Sequence, residues 1–323
     1  GNEVVGLRPN VSDVCSGATE HCIPKMSKRS DNKTRWLFWG VIALFLGLCF
    51  WQSGRRDGHL PEGDGLTIVH LTDLHLDTQG KVMHTPWTHK IAVGGYRLHR
   101  PCTGRAFEYL EQAVSQIRNT IKPDVVVITG DVVNRGDDIE ALKRGVSILS
   151  RLQCPVVVTQ GDHDISRRKE NSTVWNDVCG ATHGCTLVNS TRFFFLPFAK
   201  DEAAFADILQ AIRTVSDRDE VHFFCLHRML WAPRLMDALA RRYHGCSVLD
   251  PDREKIVEAM DASGARWVVL CGHSHTDHRR TRGNVTQLCA PSLAEHPHAF
   301  RVIKIKDGEV FYKLVRLDRG QTQ

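Results

Sequence analysis

The sequence predicts an α/β domain over residues 66–323, and three observations carry that reading. Short runs of Val, Ile, Leu and Phe recur without polar alternation, stretches with apolar residues three to four positions apart separate them, and Asp and His follow the runs directly. Strands buried on both faces read as continuous apolar runs, while a helix packed on a sheet shows the longer period. Alternation of the two kinds of segment is what an α/β layer architecture requires.

Three segments precede the domain. Residues 1–35 lack apolar periodicity and hold Lys25, Lys28, Arg29, Lys33 and Arg35, so a disordered basic tail is expected there. Residues 36–54 carry no charge over 19 positions. At 1.5 Å per residue that run reaches roughly 28 Å against a hydrocarbon core of about 30 Å, so a single transmembrane signal anchor is expected. Trp36, Trp39 and Trp51 suit interfacial anchoring, and the excess of Lys and Arg before the run keeps the N-terminus cytoplasmic and the domain luminal or extracellular. Gly58, Pro61, Gly63 and Gly65 make residues 55–65 a flexible stalk.

Within the domain, strands are expected at 66–71, 125–129, 156–159, 221–226 and 267–270, and helices at 105–121, 139–152, 201–215 and 252–262. Residues 285–289, 300–305 and 310–317 read as further strands, the last two joined by a turn at Lys306-Asp307-Gly308-Glu309. One long irregular connection runs from 77 to 103. With 42% hydrophobic and 24% charged residues, wholesale disorder is excluded. The net charge of +5 divides into eight Lys/Arg against four Asp/Glu in residues 1–56 and 34 against 33 thereafter, so composition gives no support for a concentrated basic face and no nucleic-acid partner is expected.

Histidine is the informative count, since 16 of 17 lie after residue 57 and imidazole is a common metal ligand and proton carrier. The apolar runs lead into Thr72-Asp73-Leu74-His75, Gly130-Asp131-Val132-Val133-Asn134-Arg135, Gly161-Asp162-His163-Asp164, His227, and Gly272-His273-Ser274-His275. Taken singly, Asp-x-His or Gly-Asp is an ordinary turn. Their joint occurrence, each directly after a strand, points to one site in the crevice at the strands' carboxyl ends. Three Asp and four or more His buried together would repel and desolvate one another at large cost, which one or two divalent cations remove. Mixed carboxylate and imidazole donors suit Mn, Fe or Zn better than Ca or Mg.

At these residues the chain resembles the calcineurin-like metallophosphoesterase superfamily, whose ordered blocks are Asp-x-His, Gly-Asp-x-x-Asn/Asp-Arg, Gly-Asn-His-Asp/Glu, a lone His, and Gly-His-x-His. The likeness runs from residue 66 to about 317, with one departure: Asp162 stands where the family has Asn. The compact length and the ending Val285-Thr286-Gln287-Leu288-Cys289-Ala290-Pro291-Ser292 are similar to the class III cyclic-nucleotide phosphodiesterase branch. The resemblance implies a two-sheet β-sandwich flanked by helices, two divalent transition-metal ions, and hydrolysis of a phosphomonoester or phosphodiester, the substrate a phosphorylated small molecule or lipid, through a metal-bridging hydroxide. It implies that Asp73, His75 and His275 hold one metal, that Asp162, His227 and His273 hold the other, and that Asp131 bridges both. His163 is then the catalytic residue, meeting a phosphoryl oxygen or protonating the leaving alkoxide, or else it orients Asp131. Arg135 is expected to hydrogen-bond the carboxylates beneath the site. Asp162 also leaves open a second class, a membrane-tethered binding or scaffolding protein that keeps the metal-site fold without turnover.

Other features are less specific. The 78–103 insertion supplies His84, Trp87, His89, Tyr96, Arg97, His99 and Arg100, which either overhang the crevice or face away from it. Of the eight Cys after the span, Cys179 and Cys185 bracket a segment that a disulfide could staple, while Cys225 and Cys271 read as inert buried thiols. Asn171, Asn189 and Asn284 begin glycosylation acceptor patterns.

Overall fold

A computed structural model describes residues 58–79, 92–93, 96–97, 104–165, 174–199, 201–215, 220–244 and 246–317. The expected tail, anchor and most of the stalk lie outside the described residues, as do Asn171 and most of the 78–103 insertion. Among the described residues no helix is long and apolar enough to cross a membrane.

The strands form two mixed sheets, as the resemblance implies. The first has five, in the order β13 (Glu309–Arg316), β12 (Ala299–Lys306), β1 (Leu66–Leu71), β4 (Val125–Thr129) and β5 (Val156–Thr159). The second has six, in the order β10 (His278–Arg282), β11 (Val285–Cys289), β9 (Arg266–Cys271), β8 (Val221–Cys225), β7 (Thr191–Phe195) and β6 (Gly184–Val188). A two-stranded ribbon, β2 (Ala92–Val93) with β3 (Tyr96–Arg97), lies in the insertion. Strands β1, β4 and β5 run parallel, as do β7, β8, β9 and β11, so the ends that deliver the chemical groups share a direction within each sheet.

The unbroken apolar runs follow from this layering. Val125 and Val127 of β4 join Ile68, Phe223, Val268 and Leu288 between the sheets, whereas Val126 and Ile128 face the other way and pack with Leu110, Val114, Leu142 and Ile148. Those partners come from α1 (Ala106–Gln116), which continues as a π turn through Ile121, and α2 (Ile139–Leu149). On the second sheet's outer face, Phe224, Trp267 and Val269 meet Phe205, Ile208 and Ile212 of α4 (Glu202–Arg213) and Ile256 and Met260 of α6 (Arg253–Ser263). Each fully buried aliphatic or aromatic side chain contributes roughly 1.5–3 kcal/mol, so both faces of every central strand add to stability. Caps set the helix starts: Asp138 accepts from Ala141 N and Asp201 from Ala203 N and Ala204 N, each at 3.0 Å. The turn expected at 306–309 joins β12 to β13, with Asp307 and Gly308 both at positive φ as a two-residue hairpin prefers.

Seven elements go beyond the sequence reading: β2, β3, β6, β7, β10, α3 (Val174–Cys179) and α5 (Arg234–His244). Strand β10, His-Arg-Arg-Thr-Arg, has no apolar residue because it is an edge strand with one neighbour. The staple between Cys179 and Cys185 is not formed, and both are free thiols. Cys179 ends α3 against the first core while Cys185 is exposed on β6, and burial pushes the Cys179 thiol up to about 12.

Beneath the strand ends the inter-sheet layer turns polar. His70 is fully buried, with Nε2 2.8 Å from Thr129 Oγ1, and burial followed by the nearby Arg301 charge pushes its imidazole down from 6.5 to about 3. The ring is therefore neutral in the fold but takes a proton in the unfolded chain below 6.5, so its contribution is complete above that pH and is lost as pH falls toward 3. We expect His70 to account for about 2 kcal/mol of destabilisation by pH 5. Denaturant melts of His70→Gln should show a flatter decline between pH 6.5 and 5 than the parent; parallel declines would remove His70 from the account.

Candidate metal centre

Loops at the carboxyl ends of β1, β4, β5, β8 and β9 are knitted together by backbone hydrogen bonds. Asp73 N donates to Gly130 O at 3.1 Å, His75 N to Asp131 O at 2.9 Å, and Gly272 N to His227 O at 2.9 Å. The turns are tight enough to force unusual backbone. Asp73, His75, Asp131, His273 and His275 all have positive φ, between 44° and 64°. For a residue with a Cβ that conformation costs on the order of 1–3 kcal/mol, and here it re-aims each side chain into the crevice. The glycines serve close approach: a Cβ on Gly161 would strike Asp131, and one on Gly272 would strike Thr72 Oγ1 and Asp73 Oδ2.

The seven sequence-predicted side chains converge as two groups that share Asp131. In one, ligand atoms of Asp73, His75, Asp131 and His275 lie within 4.8 Å of one another; in the other, those of Asp131, Asp162, His227 and His273 do. In the first group His275 Nε2 is 3.2 Å from Asp73 Oδ1 and 3.2 Å from His75 Nε2. In the second, Asp162 Oδ1 is 3.0 Å from both His227 Nε2 and His273 Nδ1, and Asp131 Oδ2 is 3.2 Å from His227 Nε2.

Outer partners choose which imidazole nitrogen is presented. His227 Nδ1–H donates to Thr129 O at 2.7 Å, leaving Nε2 for the centre. Glu295 Oε1 lies 3.2 Å from His275 Nδ1, again leaving Nε2, whereas His273 turns Nδ1 inward and its Nε2 faces Cys246 Sγ at 3.9 Å. Thr72 Oγ1–H donates to Asp73 Oδ2 at 2.8 Å and Ser292 Oγ–H to Asp73 O at 2.8 Å.

The electrostatics are those of a cation site. Burial alone would raise Asp73, Asp131 and Asp162, yet the facing imidazoles hold all three below the usual carboxylate range. Burial would lower His227 and His275, but Asp131 and Asp162 around the first, and Glu295 and Asp73 around the second, raise both well above the ordinary imidazole value. Burial, with help from His275 and His163, holds His75 down at about 4. Two divalent cations fit this donor set. Asp162 Oδ1 lies 3.0 Å from an imidazole nitrogen of each of His227 and His273, so these donor atoms converge on a common point.

His163 stands beside the shared carboxylate. Its backbone N–H donates to Asp131 Oδ1 at 2.9 Å, its Nδ1–H donates to Asn134 O at 2.8 Å, and its ring meets that of His75 edge-on at 4.9 Å. Arg135 does not reach the carboxylates beneath the site. Its ion-pair partner is Asp137, at 3.7 Å, and its side chain is 40% exposed because the turn after Asn134 carries it to the rim. Asp164 does the buttressing instead, accepting from Val133 N at 2.9 Å and Gly161 N at 2.8 Å, which ties two ligand loops together. Burial and then the Asp131 charge raise Asp164 to about 7. Sequence reasoning gave no role to Asp164, although it stands within the Gly-Asp-His-Asp run, and had no local signal for Glu295.

Residues 66–302 match the family model described as calcineurin-like phosphoesterase. No curated protein sequence matches significantly. Similar solved structures include a purple acid phosphatase, PPD1, from yellow lupin seeds, at 12% identity over 80% of this chain and 53% of that one, with a TM-score of 0.54. GAP50, the anchor in the inner membrane complex of Plasmodium, is 11% identical over 80% of this chain and 87% of its own, with a TM-score of 0.52. A dimetal phosphatase from Danio rerio is 15% identical over 77% and 99%, with a TM-score of 0.48.

Proposed function

The chain belongs to the calcineurin-like phosphoesterase family of metal-dependent phosphoric ester hydrolases, and from that premise we propose that it is a membrane-anchored dinuclear phosphoesterase acting on a phosphomonoester or phosphodiester of a small molecule or lipid. The observation that carries the reading is the convergence of seven carboxylate and imidazole side chains into two groups sharing Asp131. Asp73, His75 and His275 would hold one cation, Asp162, His227 and His273 the other, and Asp131 both. Bound there, Mn, Fe or Zn ions would acidify a shared water and neutralise charge on the phosphoryl oxygens.

The remaining work falls to the chain's own groups. With Nδ1 committed to Asn134 O, His163 presents Nε2 to the substrate, either holding a phosphoryl oxygen or giving its proton to the departing alkoxide. Thr129 O and Glu295 fix the imidazoles of His227 and His275, so ligand geometry precedes substrate binding. Asp162 places a carboxylate oxygen where the family has an amide oxygen, so the departure leaves the second group complete, and nothing in the geometry favours a scaffold that lacks turnover.

The extra negative charge of Asp162 still has consequences. It strengthens the hold on the second cation but opposes an anionic substrate and makes the shared water less acidic. Its side chain is 28% exposed, so water screens part of this. We expect Asp162→Asn to raise kcat/KM at saturating Mn by up to about tenfold, ~1.4 kcal/mol in the barrier, while loosening the second cation. A lower kcat/KM than the parent's would show the carboxylate to be an adapted ligand.

The reading as a whole is tested on the full chain in detergent. It should retain about two transition-metal equivalents and hydrolyse p-nitrophenyl phosphate or its bis ester, the preferred ester deciding between phosphatase and phosphodiesterase. Absence of bound metal, with no rescue by Mn or Zn, would overturn it. In the proposed topology, protease added outside sealed membranes removes only the N-terminal tail, and digestion of the domain would reverse the orientation. A luminal domain would be glycosylated at Asn189, exposed in the β6–β7 turn with its amide on Asp124 Oδ1, in preference to the half-buried Asn284, whose amide donates to Met260 O and Ala265 O.

A further inference from the structure

Arg228 directly follows His227 and is half-buried beside the second ligand group. Its guanidinium lies over the ring of Phe198, 4.4 Å from the centroid. Phe198 is itself held at the site, since its N–H donates to Gln160 O at 3.0 Å, two residues before Asp162, and its ring meets His227 edge-on at 6.4 Å. The stack therefore stands on the rim of the second group.

The charge of Arg228 goes unanswered. Among the described residues it has no carboxylate within ion-pair distance, and its Nε is shut off from solvent with no hydrogen-bond partner. Arg135 is paired with Asp137, and Arg301 with Asp277. A guanidinium offers five donors in a rigid fork, and leaving a half-buried one unpaired is unfavourable unless an anion arrives to meet it. Stacking on Phe198 holds the fork flat, so little side-chain freedom is lost when a planar carboxylate or a phosphate docks. The reacting phosphoryl group is already served by the two cation positions and by His163, which sits against His75 in the other group.

Resting on the phosphoesterase reading above, we propose that Arg228, braced by Phe198, is a specificity-determining residue that binds a second anionic group of the substrate, a phosphate or carboxylate outside the reacting phosphoryl group.

The test compares phenyl phosphate with p-carboxyphenyl phosphate, and inorganic phosphate with pyrophosphate, on the Mn-loaded full chain and on Arg228→Gln and Arg228→Lys. The parent should favour the carboxylated ester in kcat/KM, chiefly through KM. Arg228→Gln should reduce that selectivity ratio by roughly tenfold or more, and Arg228→Lys should restore part of it, as a point charge without the fork. By calorimetry the parent should bind pyrophosphate more tightly than phosphate, and Arg228→Gln should lose that preference at an unchanged melting temperature. If both ester activities and both affinities fall together in the variants, or if the parent shows neither preference, Arg228 does not read a second anion. If the parent hydrolyses neither these monoesters nor bis(p-nitrophenyl) phosphate, the phosphoesterase reading fails, and the pyrophosphate preference with its loss in Arg228→Gln still decides the anion site.

Discussion

Asp131→Asn is expected to strip both cations from the protein and to lower phosphoester hydrolysis by more than about 100-fold, the upper end of what removing an outer partner of a metal ligand costs. No other single side chain belongs to both ligand groups. The amide keeps the size of the carboxylate and tolerates the positive φ at this position, so the loss would report charge and donor chemistry instead of misfolding. Removing the Asp131 charge relieves a repulsion on the neighbouring Asp164, which burial and then that charge raise to about 7, and at the same time takes from His227 the carboxylate that holds its proton, so metal content and not melting temperature is the readout. Elemental analysis after gel filtration is the check, with Asp73→Asn alongside, which should lose one equivalent and keep the other. Two equivalents retained by Asp131→Asn would mean that the shared carboxylate bridges nothing.

His163→Ala should cut kcat by about 10²–10⁴, the usual worth of a positioned proton donor, with metal content unchanged. The geometry separates the two roles open to this residue. Its contact with Asp131 runs through the backbone N–H, which the alanine variant keeps, so the imidazole is not what orients the carboxylate. Had the ring been a positioning partner alone, its loss would weaken metal affinity by about 10–100-fold and leave turnover per bound metal intact. Measuring kcat at saturating Mn, together with metal stoichiometry, therefore assigns the side chain. A variant that recovers full kcat at high Mn would remove His163 from the chemistry.

The strands that deliver ligands were the most legible part of the fold, because a parallel strand covered on both faces must be apolar at nearly every position, and Val125–Thr129 shows this fully. Division into two sheets was not legible from those runs, since which strand pairs with which is a long-range choice that leaves no mark on local composition. Strand β10 was hidden for the opposite reason: an edge strand of Arg, His and Thr needs no apolar face. In the site, each ligand could be read because it follows its strand directly. Glu295 could not, since it meets His275 through a fold-wide return of the chain, and Arg135 was misplaced because a motif position says nothing about which way a turn throws a long side chain.

Five of the seven converging residues sit in left-handed backbone, a conformation that glycine or asparagine would accept more readily. This gives sequence drift in this lineage a slope. Substitutions such as His275→Gly or His273→Asn discard chemistry and at the same time release backbone strain. Where selection for turnover lapses, such changes are retained with the fold intact or firmer, so descendants that keep the sandwich while losing the ligands should arise easily and persist. The positions hardest to relinquish would then be the close-approach glycines, Gly161 and Gly272, whose neighbours leave no room for a side chain whether or not the centre is in use.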